Sequence, residues 1–77
     1  MLQPPWNAGE RVVWAHKPSG GYGYTIPVAG IVLHTTRAGR VRIEIARKRG
    51  NEWVREKRTV SPHALHYRRE PAPELGE

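Results

Sequence analysis

Polar and apolar residues alternate over Val41-Arg42-Ile43-Glu44-Ile45. Three β-branched side chains fall on one side of an extended chain, and Arg40, Arg42 and Glu44 on the other. This is the period of a half-buried strand, expected over Arg40 to Lys48. Gly50-Asn51 reads as a tight hairpin turn, since both residue types tolerate positive φ, and Glu52 to Val60 returns as the next strand. Trp53 and Val54 are adjacent and both apolar, so one of them is exposed or a bulge intervenes. Earlier in the chain, Glu10 to His16 reads as a first strand with Val12 and Trp14 on one face. Thr25 to Thr36 reads as a second, in which Pro27 argues for an edge at the start and Gly30 allows a bend. Lys17 to Tyr24 is a loop dense in breakers, and Arg37-Ala38-Gly39 is a turn. Ser61-Pro62 reads as the cap and first residue of a single helical turn ending near Leu65, with His66-Tyr67-Arg68 as a short closing strand.

These elements describe an all-β domain: a small, five-stranded, partly open barrel with one short helical turn before the last strand. With 77 residues there is room for a single core. Residues 1–8 form an extended lead-in, residues 9–69 the barrel, and residues 70–77 an acidic, Pro-rich tail expected to be disordered. The pattern resembles the SH3-like barrel superfold, including KOW, Tudor-like and integrase C-terminal barrels and the small barrel subunits of electron-transfer complexes. The likeness is carried by Gly9-Glu10-Arg11-Val12-Val13, Ala29-Gly30-Ile31-Val32, Val41 to Ile45, and Val60-Ser61-Pro62-His63-Ala64-Leu65. Barrels of this kind bind nucleic acid, peptides or protein partners, so the resemblance implies a binding module without choosing its ligand.

Charge narrows the choice. Residues 37 to 58 hold nine Arg or Lys against three Glu, a surplus of six that equals the formal charge of the whole chain, +6. Arg40, Arg42, Arg47, Lys48, Arg49, Arg55, Lys57 and Arg58 are candidate phosphate contacts, gathered beside Trp53 on one exposed side of the hairpin. Tyr22 and Tyr24 are candidates to stack on bases or border the groove, because by the resemblance the long first loop flanks the binding surface. The expected partner is DNA or RNA bound without sequence preference, or else an acidic protein docked on the same cations. The ordinary role of such a charge run is a solvated strand pair whose Arg and Lys guard a sheet edge.

Catalysis, metals and cofactors find little support. There is no cysteine and no aspartate, and Ser61 is better used as a cap than as a nucleophile. His63 and His66 sit three apart, but there is no cysteine or aspartate to complete a metal site, and Glu10, Glu44, Glu52 and Glu56 lie on strands away from that turn. A non-enzymatic protein without a cofactor is expected. Met1-Leu2-Gln3-Pro4 shows no signal peptide and no apolar run is long enough to cross a bilayer, so a cytoplasmic location without membrane contact is expected.

Overall fold

Val12, Val32, Val41, Ile43, Ile45, Val60 and Leu65 leave water together, and strand alternation turns each of them to the same side of one sheet. The computed structural model describes residues 6–18, 20 and 23–77. Five strands are formed: β1 (Arg11–His16), β2 (Ile26–Thr35), β3 (Val41–Arg49), β4 (Glu52–Val60) and β5 (Leu65–Tyr67). All their pairings are antiparallel, in the order β4-β3-β2-β1-β5, giving an all-β fold consistent with a small barrel-like arrangement. A 3-10 turn, Pro62–Ala64, precedes β5 as expected, with Ser61 Oγ accepting from the His63 N–H at 3.3 Å. Among the described residues no helix is long and apolar enough to cross a membrane.

The hairpin turn at Gly50-Asn51 is present, closed by the Arg49–Glu52 pair. Only Gly50 uses positive φ (59°), so Asn51 is not called on for the left-handed conformation that its type tolerates. The β3–β4 register is unbroken from Val41–Val60 to Arg49–Glu52. The adjacency of Trp53 and Val54 is therefore resolved without a bulge, by exposure of both.

That double exposure follows from where β3 leaves its other neighbour. β3 pairs with β2 only as far as the Gly30–Ile45 position; Ala46–Arg49 pair with β4 alone. The outer half of the hairpin is a two-stranded arm standing clear of the core. Correspondingly, Ile26–Ala29 of β2 pair with β1 on one side and with no strand on the other, an edge-like setting that suits Pro27. Gly30 sits at the fork. A Cβ there would meet the Glu44 carbonyl oxygen at 3.3 Å, so a side chain would push β2 and β3 apart. The register irregularity of β2 lies slightly later, between Val32 and His34.

The last eight residues, expected to be a disordered tail, instead fold back as a strap across the opposite face of the sheet. A 3-10 turn, Pro73–Leu75, packs Leu75 and Ala72 against Ala46, with Ala29 and Ile31 alongside. The low apolar content of Glu70 to Glu77 made disorder the natural reading. Order comes from Arg68, whose guanidinium uses every one of its N–H donors. Nε donates to the Val12 carbonyl at 3.1 Å, Nη1 to the Glu70 carbonyl at 2.7 Å and Glu77 Oε1 at 2.6 Å, and Nη2 to the Gly30 carbonyl at 3.0 Å and Glu77 Oε2 at 3.1 Å. The two side chains are 8% and 9% exposed, a bidentate pair largely shielded from water. The Ala72 N–H also donates to Glu77 Oε1 at 2.7 Å.

The hydrogen bonds from Arg68 hold the Glu77 carboxyl down from 4.5 to about 2, aided by the Ala72 N–H and the charges of Arg68 and Arg11, and opposed by burial. A carboxyl lowered in the folded state contributes stability that is complete above its ordinary value and fades as the pH falls through the folded one. Acidification from pH 5 to about 2 is therefore expected to loosen the strap. Amide exchange at Ala72 and Leu75 checks this; protection unchanged at pH 2.5 would remove Glu77 as the anchor.

Candidate functional site

In an antiparallel ladder, directly opposed residues share a face. The β3–β4 register places Arg42 opposite Thr59, Glu44 opposite Lys57, Ala46 opposite Arg55 and Lys48 opposite Trp53 on the face away from the core. By the same alternation Arg40, just before β3, belongs to that side. The outer face thus carries Arg40, Arg42, Lys48, Arg55 and Lys57 against the single carboxylate of Glu44. Trp53, 52% exposed, lies near the tip of this face, opposite Lys48 and two residues before Arg55. The Lys48 Nζ lies 6.0 Å from the Trp53 ring centroid, within reach of a cation–π contact. Arg42 donates to Thr59 Oγ1 at 2.9 Å, and Arg55 approaches Glu44 at 3.4 Å.

The remaining three cations do not join them. Arg47, Arg49 and Arg58 fall on the core-facing side of the arm and converge on Glu56 at 3.7, 3.6 and 3.0 Å. The expectation that all eight cations gather on one side is corrected here. Alternation sends residues of odd and even number to opposite faces, so a run of basic residues cannot stay together on a strand. The two groups still differ sharply. The outer face has a surplus of four positive charges, and the inner group, which also includes Glu52, a surplus of one. All of these ion pairs are exposed and contribute little to stability, which leaves the guanidinium groups available to a stronger anion.

The two tyrosines do not complete the surface. Tyr22 lies outside the described residues. Tyr24 is 53% exposed before β2 and belongs neither to the arm nor to the cleft described next.

Where β2 and β3 part company, the core-facing side opens into a cleft of about 170 Å³ lined by Trp14, His16, Val28, Ile45, Ala46, Arg47, Lys48 and Arg58. Trp14 packs on the core with one part and walls the cleft with another, its ring centroid 4.5 Å from that of His16. The sequence puts Trp14 on one face of the first strand with Val12 and gives neither it nor His16 a place in a binding site. A spacing of two along β1 shows that they share a face, but only the fork shows that the face opens. Behind the fork, on the outer face, the strap covers Ala29, Ile31 and Ala46. Glu77 is committed to Arg68 and Arg11, so among the described contacts its side chain does not neutralise the arm. The strap meets the base of the arm, packing on Ala46 and bringing Gly76 close to Arg55: an added Cβ on Gly76 would come within 2.7 Å of an Arg55 guanidinium nitrogen.

Over 62 residues the chain is 48% identical to Protein KleD of Escherichia coli, an alignment covering 80% of this chain and 92% of the relative. No family model matches the chain, and no solved structure matches it.

Proposed function

The chain belongs to the family of Protein KleD, and we propose that it is a non-catalytic nucleic-acid-binding module of SH3-like type that grips phosphates with the outer face of its β3–β4 hairpin. The observation that carries this reading is the charge asymmetry between the two faces of the hairpin. Lys48 and Arg55 flank the exposed indole of Trp53 on the free arm, and Arg40, Arg42 and Lys57 continue the same face along the part of the hairpin that pairs with β2, against the single carboxylate of Glu44. Arg40, Arg42, Lys48, Arg55 and Lys57 would displace condensed counterions from a phosphate backbone, and Trp53 offers a ring on which a base stacks without regard to sequence. Contacts of this kind position a strand but read few base edges, so low sequence specificity follows.

The salt dependence of binding tests the reading. With four to six phosphates neutralised, log K against log[salt] is expected to fall with a slope of about −4 to −5 on duplex DNA, measured by fluorescence anisotropy. Absence of binding to DNA and RNA at low salt and micromolar protein would sink it.

A second reading has a specific observation behind it. Arg47, Arg49 and Arg58 already share the Glu56 carboxylate, which is how guanidinium groups meet an acidic protein. Docking of that kind is also fast and salt-sensitive. A pull-down with and without nuclease separates the two. A stoichiometric acidic protein that survives nuclease favours docking.

A further inference from the structure

We infer that the cleft at the β2–β3 fork is a receptor for a single unpaired base, making single-stranded nucleic acid the preferred ligand. The inference rests on the nucleic-acid reading above and adds a second contact surface to it.

The cleft has the chemistry of a base pocket. Its lining combines apolar Val28 and buried Ile45, aromatic Trp14 with His16 beside it, and the partly exposed cations Arg47 and Arg58. A planar ring entering it meets an indole on which to stack, and the phosphate attached to that ring stays outside against guanidinium groups. At about 170 Å³ the cleft is smaller than the ~300–1,000 Å³ of sites that enclose a drug-sized ligand, so it suits one ring rather than a whole nucleotide. A base held in a duplex cannot reach it, because both its faces are stacked and its edge is paired.

The fork also supplies a route. Ala46–Arg49 of β3 lack a partner on the β2 side, and Lys48 both lines the cleft and approaches Trp53 on the opposite face. A strand lying along the outer cations can therefore cross the free edge of β3 beside Lys48 and turn one base into the cleft. Glu56 does not bar its phosphate. Three guanidinium groups share that one carboxylate, and with Glu52 opposite Arg49 counted as well the group keeps a surplus of one positive charge.

The test uses the full chain and three probes of equal length: a thymidine 12-mer, the same strand as a duplex, and an abasic strand with the same phosphates. All are titrated against Trp53→Ala protein, so that stacking on the arm cannot supply the preference. The expected result is binding of the thymidine strand about tenfold or more tighter than either other probe, with a shift of the Trp14 indole N–H resonance confined to that strand. Filling the cleft by Val28→Phe is expected to remove both the preference and the shift. Equal affinity for all three probes with the Trp14 resonance unmoved would overturn the base pocket and leave phosphate binding by the arm intact. Failure of the wild-type protein to bind any probe would overturn both. Should Val28→Phe unfold, the Trp14 resonance in the Trp53→Ala protein still decides the matter.

Discussion

Replacing Arg68 with methionine is expected to destabilise the protein by about 3–5 kcal/mol, the usual cost of removing one partner of a shielded ion pair. A domain of this size has only about 4–12 kcal/mol of stability in total, so the variant sits near its folding limit at room temperature. The loss has three sources. Glu77, whose side chain is 9% exposed beside Arg68, is left without its bidentate partner. The Val12 and Gly30 carbonyls lose the donors that fasten the strap to β1 and β2. Leu75 and Ala72 then lose the tether that holds them over Ala29, Ile31 and Ala46. Urea unfolding followed by tryptophan fluorescence reads the change. The double variant Arg68→Met with Glu77→Gln is expected to be less damaged than Arg68→Met alone, because no unpaired charge remains. A loss below about 1 kcal/mol for Arg68→Met, the range of exposed pairs, would show the clamp to be ornamental.

The second large effect concerns binding. If the arm holds phosphates, changing Arg42, Lys48 and Lys57 together to glutamine is expected to lower the magnitude of the salt slope on duplex DNA by about 2.7, roughly 0.9 for each charge removed. Fold stability should change little, since none of the three makes an ion pair among the described residues and each lies on an exposed or half-exposed strand face. Trp53→Ala is a different perturbation with a different signature. It is expected to weaken single-strand binding by about 1–3 kcal/mol while leaving the salt slope where it was, because stacking releases no counterions. The same triple substitution at Arg47, Arg49 and Arg58 should cost duplex binding less, those charges being partly spent on Glu56. Anisotropy titrations over a range of salt resolve all three cases. A slope unmoved by the outer-face triple would rule out the arm as the phosphate site.

Local chemistry made much of this fold legible. The alternation of Val41, Ile43 and Ile45 located β3 and its buried side, since side chains of an extended chain must point in opposite directions at successive residues. Ser61-Pro62 announced its 3-10 turn, and Gly50 the hairpin that closes the arm. Even the division of the cations between two faces is implicit in their odd and even numbering. The strap was not legible. The Gly30 and Val12 carbonyls that fix Arg68 lie 38 and 56 residues from it in sequence, and nothing within Glu70 to Glu77 shows that Arg68 will be held there to receive Glu77.

The cleft was hidden for a related reason. Trp14 and His16 look like any aromatic pair on a core-facing strand until β3 parts from β2 at Gly30 and Ile45. By itself, then, the sequence determined the strands, their turns and the basic hairpin, all properties of residues near one another along the chain. Tertiary structure alone decided where the sheet forks, what covers its back and what its front can receive. Those outcomes depend on which distant backbone carbonyls and strand edges meet, and no local pattern encodes such meetings.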